Sequence, residues 1–164
     1  MNSRIGKRGF SLVELVVVIV IIGIIAAMAI PRLSRGAAGA NQSSLGGNLS
    51  ILRNAINLYA AEHNNTFPSG TGAQVADKLT KYTDAAGDAG VKTATRIYGP
   101  YVLKIPTCPV ISGANSATIL IDSTNSPPQV NTTNGEGWVY NPNTGEIIAN
   151  SSATDADGKA YNTY

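Results

Sequence analysis

Between Phe10 and Ile30 the chain carries a single charge, Glu14, in an otherwise apolar run. About twenty apolar residues is the length at which a helix spans a bilayer, so the run predicts a transmembrane helix over 10–30. An ionisable group inside such a span costs on the order of 3 kcal/mol and by default marks a functional position. Glu14 stands about one helical turn after Phe10. Arg4, Lys7 and Arg8 cluster just upstream. Basic residues next to a span stay on the cytoplasmic side, which sends the rest of the chain outward.

Two plainer readings use the same residues. A generic single-pass anchor explains the run, its basic flank and the orientation, but gives Glu14 no purpose. A secretory signal peptide would take Arg4, Lys7 and Arg8 as its basic region and Ala27-Met28-Ala29 as its cleavage site, releasing a soluble exported binding domain from Ile30 with Trp138 and Tyr140 as a ligand surface. Its apolar region would exceed the usual ~7–15 residues and would contain a carboxylate.

The exported part has room for one small domain in a chain of 164 residues. The formal charge of +2 is a topology signal: without Arg4, Lys7 and Arg8, nine basic residues face ten acidic ones. No basic patch of the kind that binds nucleic acid is expected. Cys108, the sole cysteine, has no partner for an intrachain disulfide and is expected to be a small buried side chain. His63 is the sole histidine. It falls in a helix carboxy-terminal turn, where a capping or surface role suits it. Histidine-based metal clusters and Ser/His/Asp relays lack their parts, and no phosphate-binding glycine loop is present. The chain reads as a non-enzyme without a cofactor of its own.

Past the run, Pro31 lacks an amide donor and predicts a helix kink. Gly36, Gly39, Gly46 and Gly47 make residues 32–47 weakly helical, at about 1 kcal/mol each. Leu45, Leu49, Leu52, Ile56 and Tyr59 then recur at helical spacing, a seam expected to pack on the exported domain, with Arg53, Asn57 and Glu62 on the free face. Asn64-Asn65 and Pro68 end the helix. A short helix is predicted over 73–82, followed by a loop to Gly90. Proline-rich extended chain is expected over 98–106 and a strand over 117–122. Residues 123–135 read as a surface loop, and 137–141 with 146–150 as a hairpin around Pro142-Asn143-Thr144-Gly145. The fold class is α+β, a long amino-terminal helix packed on a small antiparallel sheet.

The string Lys7-Arg8-Gly9-Phe10-Ser11-Leu12-Val13-Glu14-Leu15, with its apolar run ending at Pro31, resembles the amino terminus of type IV pilins and type II secretion pseudopilins. The resemblance implies a pilin-like fold and cleavage by prepilin peptidase between Gly9 and Phe10. It also implies N-methylation of Phe10, an assembly role for Glu14 and the kink at Pro31. The domains are then a leader over 1–9, a membrane and filament-core helix over 10–30, an amphipathic helical half over 31–63 and an exported α+β region over 64–164. The distal Gly99-Pro100-Tyr101, Ile105-Pro106 and the Gly137-Trp138-x-Tyr140-Asn141-Pro142 hairpin look like G-type major pseudopilins. Those commonly bind calcium in a loop near the end, which the carboxylates of Asp155 and Asp157 would serve, but the later acidic ligands of a calcium loop are missing and an Asp-Gly turn at Asp157-Gly158 explains the residues more simply. The implied partners are further copies of the chain in a helical homopolymer, the prepilin peptidase, the secretion assembly platform with minor pseudopilins, and the membrane. The implied location is the bacterial inner membrane, amino terminus inside and carboxy-terminal domain periplasmic. A type IV pilin for adhesion, motility or DNA uptake is the alternative.

Overall fold

The apolar run and the leucine seam fall in one helical element, α1, Leu12–Glu62. The computed structural model describes residues 11–164 and divides into two compact units, Met1–Ala37 and Ala38–Tyr164. The scissile pair Gly9 and Phe10 lies outside the described residues. Over the described side chains from Leu12 to Met28, the helix of the first unit presents only apolar residues besides Glu14. Its large ones are 44% to 77% exposed, from Val16 to Leu12, so no described residue of the unit covers them. Among the described residues no helix is long and apolar enough to cross a membrane. The predicted span starts at Phe10, and the side chains of residues 29–35 are outside the description. The apolar part that is described, 12–28, sits at the short edge of the ~17–25 residues a spanning helix needs.

α1 is uninterrupted at Pro31 and through the glycine-bearing stretch 32–47 that its composition makes weak. Gly36, Gly39, Gly46 and Gly47 lie in open space. Each therefore costs backbone entropy without clashing, and propagation from both sides carries the helix through. Its end is as expected: Asn64 and Asn65 adopt φ of 52° and 59°, left-handed values that asparagine tolerates.

In the second unit the seam packs as its spacing demands. Leu45, Leu49, Leu52, Ile56 and Tyr59 are each at most 3% exposed and form one core with Val75, Leu79, Ile119, Trp138, Tyr140 and Ile147. α2, Gly72–Thr80, buries Val75 and Leu79 and starts with a capping box in which Thr71 and Gln74 satisfy each other's backbone amides. It stops two residues short of the predicted end because Tyr82 leaves it for β1 (Tyr82–Thr83), which pairs antiparallel with β2 (Ala89–Gly90). Residues 82–90 thus form a small hairpin, and the expected loop to Gly90 ends in its second strand.

A three-stranded sheet completes the core in the order β3 (Ile119–Ile121), β4 (Trp138–Tyr140), β5 (Ile147–Ala149). The β4–β5 hairpin follows the sequence: Asn141 N–H donates to Glu146 O at 2.9 Å and Gly145 turns at φ 76°. A side chain there would strike the Phe67 ring 2.5 Å away, so only glycine fits. The expected all-antiparallel sheet is corrected to a mixed one, since β3 runs parallel to β4. Parallel neighbours need a crossover of a dozen or more residues, which the proline-bearing loop 122–137 supplies. β4 is buried on both faces, so the aromatic stripe of Trp138 and Tyr140 is core.

Candidate functional site

Of the residues singled out in the first unit, Glu14 is the one whose side-chain geometry is described. Helix α1 starts at Leu12, Leu15 N–H donates to Ser11 O at 3.2 Å, and Ser11 N–H donates to Glu14 Oε2 at 2.8 Å. Ser11 stands at the N-cap and Glu14 three residues in, so the carboxylate closes one arm of a capping box and meets the positive end of the helix. The Ser-x-x-Glu pattern was readable in the sequence and was not expected. Its effect is to give the lone carboxylate of an apolar surface one local donor, where a bare anion would be costly. Pro31 lies within α1, its side chain outside the description.

The remaining candidates gather in the second unit. Asp155 is buried, whereas Asp157 is exposed. Asp155 Oδ1 accepts the Asp157 and Lys159 amides, both at 2.9 Å. Its Oδ2 accepts the Tyr164 hydroxyl and, at 3.3 Å, Gln42 Nε2. The Tyr164 bond, followed by the Lys159 and Asp157 amides, holds the Asp155 carboxyl below the usual range, and the same bond pushes the Tyr164 phenol up. Among the described residues no group of three His, Cys, Asp or Glu side chains is placed to hold a metal ion.

His63 corrects the surface half of its expectation. It is 6% exposed and stacks on Tyr59, with ring centroids 3.9 Å apart. Nδ1 meets Tyr59 O at 2.8 Å, while Nε2 lies 3.0 Å from Asp84 O and 3.1 Å from Thr83 Oγ1. It caps the helix from inside the core and ties the helix end to β1. Arg53 and Glu62 are exposed, yet they do not stand free of the domain. Arg53 Nη2 donates to Tyr164 O at 2.6 Å and Ile147 O at 3.3 Å, and Glu62 accepts the Tyr101 hydroxyl at 2.7 Å. Long side chains can reach around a helix from positions that spacing puts on its free face.

Asp122, not singled out from sequence, organises the crossover loop. Its carboxylate accepts the Gln129, Thr124 and Asn125 amides, the Thr124 hydroxyl and Asn125 Nδ2. These bonds, the Gln129 amide foremost, hold its carboxyl far below the usual range. Cys108 is 1% exposed, as expected, and burial pushes its thiol up. A thiol kept neutral and covered is a poor nucleophile.

Residues 4–30 match the family model of the prokaryotic N-terminal methylation motif. The match covers the basic leader and the apolar run. It makes this amino terminus similar to those of type IV pilin-like prepilins, which carry the same motif. No curated protein and no solved structure matches the chain.

Proposed function

We propose that the chain is a pseudopilin, a structural subunit of a type II secretion filament, cut by prepilin peptidase between Gly9 and Phe10 and methylated on Phe10. One observation carries the reading: a single carboxylate, Glu14, on a helical surface that is otherwise apolar and uncovered, within the matched methylation motif. Cleavage leaves an amine on Phe10, cationic near neutral pH because α-amino groups titrate near ~8. Glu14 of one subunit meets the amine of a neighbour, so two costly charges neutralise each other on assembly. In the unassembled chain the Ser11 amide keeps Glu14 company, and the neighbour's amine takes its place. The 10–30 helix anchors the subunit in the inner membrane, amino terminus inside, and later lines the filament core. The assembly platform, minor pseudopilins and a cytoplasmic ATPase supply nucleation and energy.

Support for a secretion filament over an adhesive pilus comes from the single cysteine, which forms no disulfide loop within the chain, and from the G-type pattern of the distal hairpin. Glu14→Ala tests the assembly role: the variant inserts in the membrane and gives no filament in the native host. Filaments at the wild-type level from Glu14→Ala refute it. Deletion of the chain abolishes exoprotein secretion under this reading. Loss of long surface fibres with secretion intact would instead make it a type IV pilin.

A further inference from the structure

We propose that Asp155 anchors a calcium-independent latch that fastens the carboxy-terminal tail to α1. The resemblance to G-type pseudopilins implies calcium near Asp155 and Asp157, and the residues around them do not fit the ion. Calcium takes six to eight oxygen ligands at about 2.3–2.6 Å, several of them from carboxylates. Both Asp155 oxygens instead face donors. The Asp157 and Lys159 amides at 2.9 Å close a tight turn on Oδ1, while Gln42 Nε2 and the Tyr164 hydroxyl share Oδ2. Binding a cation there would strip hydrogen bonds to a charged acceptor, the stronger kind. A cation is already parked beside the site, with Lys159 Nζ lying 3.8 Å over the Tyr164 ring. Asp157 points to solvent and only its backbone takes part.

The same bonds reach from the tail to the helix. Gln42 Nε2 is 2.6 Å from the Tyr164 hydroxyl, and Arg53 Nη2 is 2.6 Å from Tyr164 O. Gln42 and Arg53 are eleven residues apart, about three helical turns, which puts them on one side of α1. Tyr164 therefore lies along the helix between two donors, with Asp155 behind its hydroxyl. Four side chains drawn from the helix and the tail perform the fastening with no ion.

The latch is tested on the full chain in detergent by amide hydrogen exchange, in millimolar calcium and in chelator, with Trp138 fluorescence reporting that each variant is folded. Tyr164→Phe and Gln42→Leu each speed exchange of the Asp157, Lys159 and Tyr161 amides about tenfold or more, equally with and without calcium. Asp157→Ala, which spares every bond of the latch, changes nothing. Calcium that slows tail exchange in the wild-type chain and fails to do so in Asp157→Ala overturns the proposal. So does a folded Tyr164→Phe or Gln42→Leu chain with wild-type tail protection.

Discussion

Leu52→Ala is the sharpest test of how the helix meets the domain. Leu52 is 0% exposed in the centre of the seam, between Leu49 at 1% and Ile56 at 1%. The substitution forfeits burial of three carbons and leaves a cavity that a core of Trp138, Tyr140 and Ile147 cannot fill by small shifts. Leucine-to-alanine changes at such sites cost about 3–5 kcal/mol. Domains of this size hold only about 5–15 kcal/mol in total, so the unfolding midpoint must fall by a large fraction. Leu58, on the same helix but 55% exposed, supplies the control. Leu58→Ala stays within about 0.5 kcal/mol in detergent. Urea unfolding followed by Trp138 emission measures both, because the sole tryptophan is itself 0% exposed and in the same core. Equal losses for the two variants, or a loss below about 1 kcal/mol for Leu52→Ala, refute the packing derived from the seam.

Further outcomes follow from single atoms. The Tyr140 hydroxyl is buried with no hydrogen-bond partner among the described residues, and burial pushes its phenol up. Tyr140→Phe removes an unpaired group that costs about 1–3 kcal/mol, so it leaves stability unchanged or higher, and a drop of more than about 1 kcal/mol in urea unfolding counts against the assignment. A Cβ on Gly137 would lie 1.9 Å from Ser116 O, whereas one on Gly47 meets nothing within 4 Å. Gly137→Ala thus loses about 2 kcal/mol or more in the same assay, and Gly47→Ala gains about 0.5–1 kcal/mol; the reverse order would be fatal to this account. Asp122 has a depressed carboxyl pKa, set first by the Gln129 amide. Its contribution is complete above the unfolded value of ~3.9 and is lost as pH falls toward the lower folded value. Protection of the loop 122–129 amides against hydrogen exchange, taken relative to the intrinsic rate at each pH, accordingly stays flat from neutrality to about pH 5 and falls only in stronger acid, while Asp122→Asn opens the loop at neutral pH. A loop that loosens between pH 7 and 5 contradicts the assignment.

What was legible in the sequence was what local physics decides. The seam from Leu45 to Tyr59 repeats at 3.6 residues, and every member is buried. The β4–β5 turn carries glycine where positive φ is required. Asn64 and Asn65 sit where left-handed residues end a helix. What escaped was decided by tertiary partners. No local pattern gives the direction of β3, because its parallel pairing with β4 depends on how loop 122–137 crosses over. β1 and β2 have two residues each, too few for a period. His63 looked like a surface cap until Thr83 and Asp84 closed over it, and no local pattern brings Tyr164 and Gln42 onto the Asp155 carboxylate. The Ser11–Glu14 cap is different, since its spacing was visible from the start.

The central claim is tested most directly by the amino-terminal mass of the mature protein made in its native host. The account predicts a chain beginning at Phe10 and carrying one methyl group on its terminal nitrogen. A chain beginning at Ile30 would remove Glu14 and the apolar helix together and contradict the filament reading. A chain still beginning at Met1, in a host that processes prepilins, would contradict it equally and leave a plain membrane anchor.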